Sequence, residues 1–175
     1  STLFALAPRA TPDPAWPSVD WQLSIATPTA PRMIDSFRIL VRPNADELQV
    51  YKGANWAKTP PDMLQDTILR ALEDSGKIKA VARQGSGIKA EYKLLIDIRR
   101  FEMDYTAQGT ATAQIEFTAK LIYNADQTVV ASRTFYQTEP AADMSAAALS
   151  EAFSKTLTTT TSQIARWLLV TPLTP

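Results

Sequence analysis

Residues 59–82 read TPPDMLQDTILRALEDSGKIKAVA, and this stretch decides the fold. Thr59 has the side chain of an N-cap, Pro60 suits the first helical position, and Asp62 sets a negative charge at the positive end of the helix dipole. Leu64, Ile68, Ala71 and Leu72 recur at helical spacing, and Gly76 offers a left-handed stop. The spacing predicts a helix over about 60–75, followed by a strand, IKAVA, at 78–82. A helix between ELQVYK at 47–52 and this strand is expected to cross over and join parallel neighbours.

Upstream, WQLSIA at 21–26 puts Trp21, Leu23 and Ile25 on one face, and FRILV at 37–41 does the same with Phe37, Ile39 and Val41. Downstream, a Gly85-Ser86-Gly87 loop leads to YKLLIDIRRF at 92–101, with Leu94, Ile96 and Ile98 inward. AQIEFTAKLIY at 113–123 alternates cleanly, so one face of its sheet is wet. Asn124-Ala125-Asp126-Gln127 is turn chemistry, and VVASRTFY pairs back as a hairpin. The helical period returns from Asp143 to about Leu169, although Thr158–Thr161 are poor helix formers that packing must hold. The fold class is α/β, α+β by element order: a mixed, mostly antiparallel sheet with two main helices.

Six of the twelve prolines fall within residues 8–31, which favours extended polyproline geometry. Residues 1–20 are read as a Pro-rich tether, 21–170 as a single domain and 171–175 as a tail. Eighteen basic residues balance eighteen acidic ones, which removes the positive field of a nucleic-acid binder. The chain has neither Cys nor His, which excludes thiol nucleophiles, Ser-His-Asp triads and zinc sites with those ligands. No catalytic residue, cofactor or metal site is assigned.

The segment YKGANWAKTPPDMLQDTILRALEDSGKIKAV, from Tyr51 to Val81, resembles the ABC-type transport auxiliary lipoproteins, the paraquat-inducible protein C-like family. The shared pattern is a strand ending in Tyr51, the step Asn55-Trp56-Ala57, Pro60 opening a helix, Leu64 and Leu72, and Gly76 before the next strand. APRMIDSFRILVR upstream and Phe101, a hairpin and a long helix ending in Trp167 downstream extend the resemblance over roughly 21–168. Lys58-Thr59-Pro60-Pro61 departs from the family's single proline, which bears on the first residue of the helix.

The resemblance implies an anticodon-binding-domain-like, three-layer arrangement with helices on the faces of a mixed sheet. It implies an exported, non-catalytic accessory to an envelope ABC transport system of the mammalian-cell-entry type, moving lipid in a Gram-negative cell. The implied partners are ABC or mammalian-cell-entry subunits, and the membrane through a lipidated Cys upstream of Ser1. The implied location is the periplasmic face of the envelope, at the outer membrane. The alternative is a soluble domain that itself binds a lipid or acyl chain.

Several residues are weighed as sites. Trp56 precedes the helix, where an indole either anchors a partner or staples the loop to the core. Lys77, Lys79, Arg83, Lys89, Lys93, Arg99 and Arg100 share a stretch with only Glu91 and Asp97 as acids, so they form either a patch for anionic headgroups or acidic partners, or ordinary solvated strand faces. Glu102 and Asp104 sit two apart and imitate a catalytic carboxylate pair, but a solvated strand end is the expected reading. Phe153, Ile164 and Trp167 on the last helix either pack in the core or line a lipid-sized groove.

Overall fold

The structure, a computed structural model, describes residues 2–107 and 109–171. Its elements in chain order are β1 (Thr2–Phe4), β2 (Val19–Ile25), β3 (Arg38–Asn44), β4 (Glu47–Trp56), α1 (Pro60–Ser75), β5 (Ile78–Arg83), β6 (Tyr92–Asp104), β7 (Thr112–Tyr123), β8 (Thr128–Pro140) and α2 (Ala146–Val170). The expected tail beyond Thr171 lies outside the described residues.

The eight strands make one open, mixed sheet that forks at β6. Along one edge β6 pairs antiparallel with β7, which pairs antiparallel with β8. Its other edge is met twice: Tyr92 and Leu94 lie opposite Leu23 and Ile25 of β2, and Glu102 and Asp104 opposite Leu40 and Arg42 of β3, both parallel. Between them the Thr29 amide donates to the Ile96 carbonyl at 2.9 Å, and the Thr29 carbonyl accepts from the Ile98 amide at 2.8 Å. Thus β2, its link and β3 run end to end along a single neighbour. Outside them β5 joins β2 in parallel, β4 joins β3 antiparallel, and β1 joins β4 in parallel.

The helix α1 begins and ends where the sequence places it: the Thr59 hydroxyl accepts from the Asp62 amide at 3.4 Å, and Gly76 takes the left-handed conformation at φ 65°. Its expected role as a crossover between paired strands is corrected. A two-residue turn, Ala45-Asp46, folds β4 straight back onto β3, so β5 finds its partner in β2 and α1 carries the chain from one prong of the fork to the other.

The Pro-rich segment forms no helix and turns at residues 13–16, where the Trp16 amide donates to the Asp13 carbonyl at 3.0 Å, but it is no free tether. β1 adds to the sheet with Leu3 opposite Asn55, and Phe4 is buried. Leu6, Pro8, Ala10 and Pro12 are half-buried, alternating with exposed residues beside α1, and Trp16 is inserted into the core at 6% exposure. The prolines keep the backbone out of helix, and the two aromatic side chains fasten it.

The two helices touch each other and pack against the sheet, as expected of a mixed, mostly antiparallel sheet with two main helices. Leu94, Ile96 and Ile98 face the helices up to a bulge at Arg99, after which Phe101 and Met103 face them. Phe153 of α2 stacks on Phe101 with centroids 5.7 Å apart, and Phe135 meets Trp167 at 5.7 Å. Two buried threonines of α2 turn their hydroxyls onto the helix's own carbonyls, Thr156 to Ala152 at 2.8 Å and Thr160 to Thr156 at 3.0 Å. Tertiary packing therefore holds a run of poor helix formers.

Candidate functional site

Trp56 ends β4 with its ring inside the core, 1% exposed, and meets Phe4, Phe101 and Phe153 at 6.2, 5.5 and 4.9 Å in edge-to-face geometry. It is the staple and not a partner contact, because β4 runs on to Trp56 and turns its side chain toward the helices. Among the described residues, its Nε1 has no hydrogen-bond partner. Phe153 and Ile164 are likewise fully buried, and Trp167 is half-buried against Phe135, so side chains fill the space between α2 and the sheet.

The structure spreads the seven basic residues over different surfaces. Arg83 turns to α1, where its Nη2 donates to Asp66 at 2.7 Å; Lys58 and Arg70 reach the same carboxylate at 3.1 and 3.0 Å. Burial pushes the Asp66 carboxyl up, but hydrogen bonds from Arg70 and Lys58 and their charges outweigh it and hold it below the usual carboxylate range. Lys77 donates to the Pro14 carbonyl at 3.3 Å and so clasps the N-terminal segment. Lys79 is exposed on the outer strand β5, Lys89 is exposed in the loop before β6, and Lys93 is half-buried on β6. Arg99 and Arg100 both face Glu116 of β7, at 3.8 and 3.4 Å.

The side of the sheet without helices carries a polar cluster at the far end of β6. Glu102, expected to be solvated, is 2% exposed and accepts from the Arg42 guanidinium through both oxygens, the Nη2 contact being 3.1 Å. Asp104, 9% exposed, accepts from the Gln114 side-chain amide and from the Thr106 amide at 2.6 Å. The Gln114 carbonyl oxygen accepts from Arg100 at 3.3 Å and from the Tyr136 hydroxyl at 2.9 Å.

Burial would raise the Asp104 carboxyl, but the Thr106 hydroxyl and amide, the Gln114 amide and the Arg42 charge together lower it. Each carboxylate is committed to donors of the protein itself, so the pair clamps β3, β6 and β7 and is not poised for acid-base chemistry. Among the described residues, no group of three or more Asp or Glu is placed to hold a metal ion.

Sequence reasoning missed Arg42, Gln114 and Tyr136 as members of this cluster. One signal was present: Arg99-Arg100 interrupts the alternation of β6 and moves Glu102 and Asp104 onto the same side as Arg100.

The chain is 27% identical over 157 residues to the uncharacterized protein bll6063 of Bradyrhizobium diazoefficiens, covering 90% of this chain and 42% of that protein. It thus spans less than half the length of that curated relative. The crystal structure of protein XCC0632 from Xanthomonas campestris is 52% identical, with a TM-score of 0.94 over 98% of this chain and 96% of that one. The hypothetical protein CT253 from Chlamydia trachomatis has a TM-score of 0.60 over 88% of this chain and 100% of that one; at 8% identity the likeness is one of fold alone. Residues 2–165 match a family of transport accessories, not one of known enzymes, and the chain belongs to that family, the ABC-type transport auxiliary lipoprotein components.

Proposed function

We propose that this chain is the non-catalytic accessory lipoprotein of an envelope ABC system of the mammalian-cell-entry type that transports lipid. It acts by protein-protein contact on the periplasmic side of the outer membrane, held there by lipid on a Cys upstream of Ser1. What supports the reading, beside the family, is the open edge of the sheet. β8 is 13 residues long and, among the described residues, is paired only through β7, with Val129 and Tyr136 exposed at 55% and 48%. An uncovered edge of that length offers backbone donors and acceptors to a partner strand.

The test is affinity isolation of the tagged full-length precursor from a Gram-negative host after mild cross-linking. Subunits of an ABC or mammalian-cell-entry transporter should be enriched, and a Val129→Glu, Tyr136→Glu variant should enrich them less. An isolate without any such subunit would contradict the proposal.

A further inference from the structure

We propose that Leu3, Met33 and Phe37, flanked by Arg32 and Arg38, form a surface on which the folded domain sits against an anionic lipid bilayer. These three apolar side chains are 63%, 49% and 54% exposed, although the core buries most residues of their kind. Despite their separation in sequence, Leu3 and Phe37 line one hollow and Met33 lines a second that shares Ser36 and Arg38 with it. Leu3 lies opposite Asn55, and Asn55 opposite Arg38, so Leu3 and Arg38 leave the same side of the sheet. A hollow of about 790 Å³ is lined by Leu3, Phe37 and Arg38, and one of about 260 Å³ by Arg32, Met33 and Arg38; Ser36 and Arg38 belong to both.

The backbone that presents them is fixed. The Pro31 carbonyl accepts from the amides of Ile34 and Asp35, both at 2.9 Å, and the Phe37 carbonyl accepts from the Trp56 amide at 2.7 Å. Ile34 is buried and pins the turn, while the Ser36 hydroxyl accepts from the Arg38 amide at 3.1 Å. Exposure of Met33 and Phe37 is thus built into a stiff turn.

Charge selects the occupant. Among the described residues, neither Arg32 nor Arg38 has a carboxylate within ion-pair distance, and Asp35 is the single acid lining the two hollows. Apolar tips ringed by unpaired arginines match the boundary between acyl chains and anionic headgroups. Leu3 is also close to the point where a lipid anchor upstream of Ser1 would leave the domain. Only that last point rests on the lipoprotein reading; the surface itself needs no lipid on the chain.

The test uses the unlipidated 175-residue chain in flotation with vesicles of phosphatidylethanolamine, with and without phosphatidylglycerol. The chain should float with the anionic vesicles and lose that binding as salt is raised. Met33→Ser with Phe37→Ser should weaken binding roughly tenfold or more, and Arg32→Gln and Arg38→Gln roughly fivefold each. Thermal melts should match the parent because all four side chains are exposed. Failure to float, or unchanged flotation of the Met33→Ser, Phe37→Ser variant, overturns the surface and leaves the hollows to a protein partner. The mass of the precursor's N-terminus reports separately on the lipoprotein reading, so either can fail alone.

Discussion

The two sides of the sheet are built by different physics from the same strands. On the helix side, Trp56, Phe101 and Phe153 pack ring against ring with essentially no exposure. On the opposite side, Arg42, Glu102, Asp104, Gln114 and Tyr136 are held by matched hydrogen bonds. Apolar burial is proportional to area and tolerant of direction, whereas the polar cluster depends on register, because a one-residue slip would separate every pair. The helix side therefore carries stability, and the open side fixes how β3, β6 and β7 align while leaving a surface for contact.

The largest effect is expected where the helix side reaches into the N-terminal segment. Removing residues 1–17 takes away the buried Phe4 and Trp16 and should cost about 5 kcal/mol, read as a lower urea midpoint. Retention of the parent's midpoint would mean that the segment is a tether after all. Trp56→Ala should come next at about 4 kcal/mol, with loss of near-ultraviolet circular dichroism. Trp56→Phe should be far milder, since the Nε1 it removes has no partner among the described residues.

On the open side, Glu102→Gln should cost about 2 kcal/mol because it uncharges the acceptor of a mostly buried guanidinium, while Glu116→Gln, facing exposed arginines, should cost less than about 0.5 kcal/mol. Equal costs would erase the distinction between a buried clamp and a surface pair. The smallest effect is that of acid. The folded-state carboxyls of Asp104 and Asp66 lie below their ordinary value, so their contributions are full above that value, about pH 4, and fade as pH falls through the lower folded one. Asp104→Asn should flatten the acid limb of a stability-pH curve; an unaltered limb would assign it to other groups.

What was legible in the sequence follows from range. α1, β7 and the β7–β8 hairpin each announce themselves through a cap, an alternation or a turn within their own residues. The end-to-end placement of β2 and β3 along β6 is set by distant pairing and leaves no local trace. Trp16 stands singly among prolines and small residues, and Phe4 lies in the short apolar run Leu3-Phe4-Ala5-Leu6 before the prolines, so neither was marked as core. Glu102 and Asp104 look like a solvated strand end because Arg42 is 60 residues from its partner Glu102 in the chain. Arg99-Arg100 was the visible break in alternation, and its meaning required the facing strand.

The most direct measurement is the intact mass of the full-length precursor, expressed from its own start in a Gram-negative host and separated into soluble and membrane fractions. An accessory envelope lipoprotein predicts a diacylglyceryl-modified N-terminal Cys in the membrane fraction. An unmodified product in the soluble fraction would contradict it.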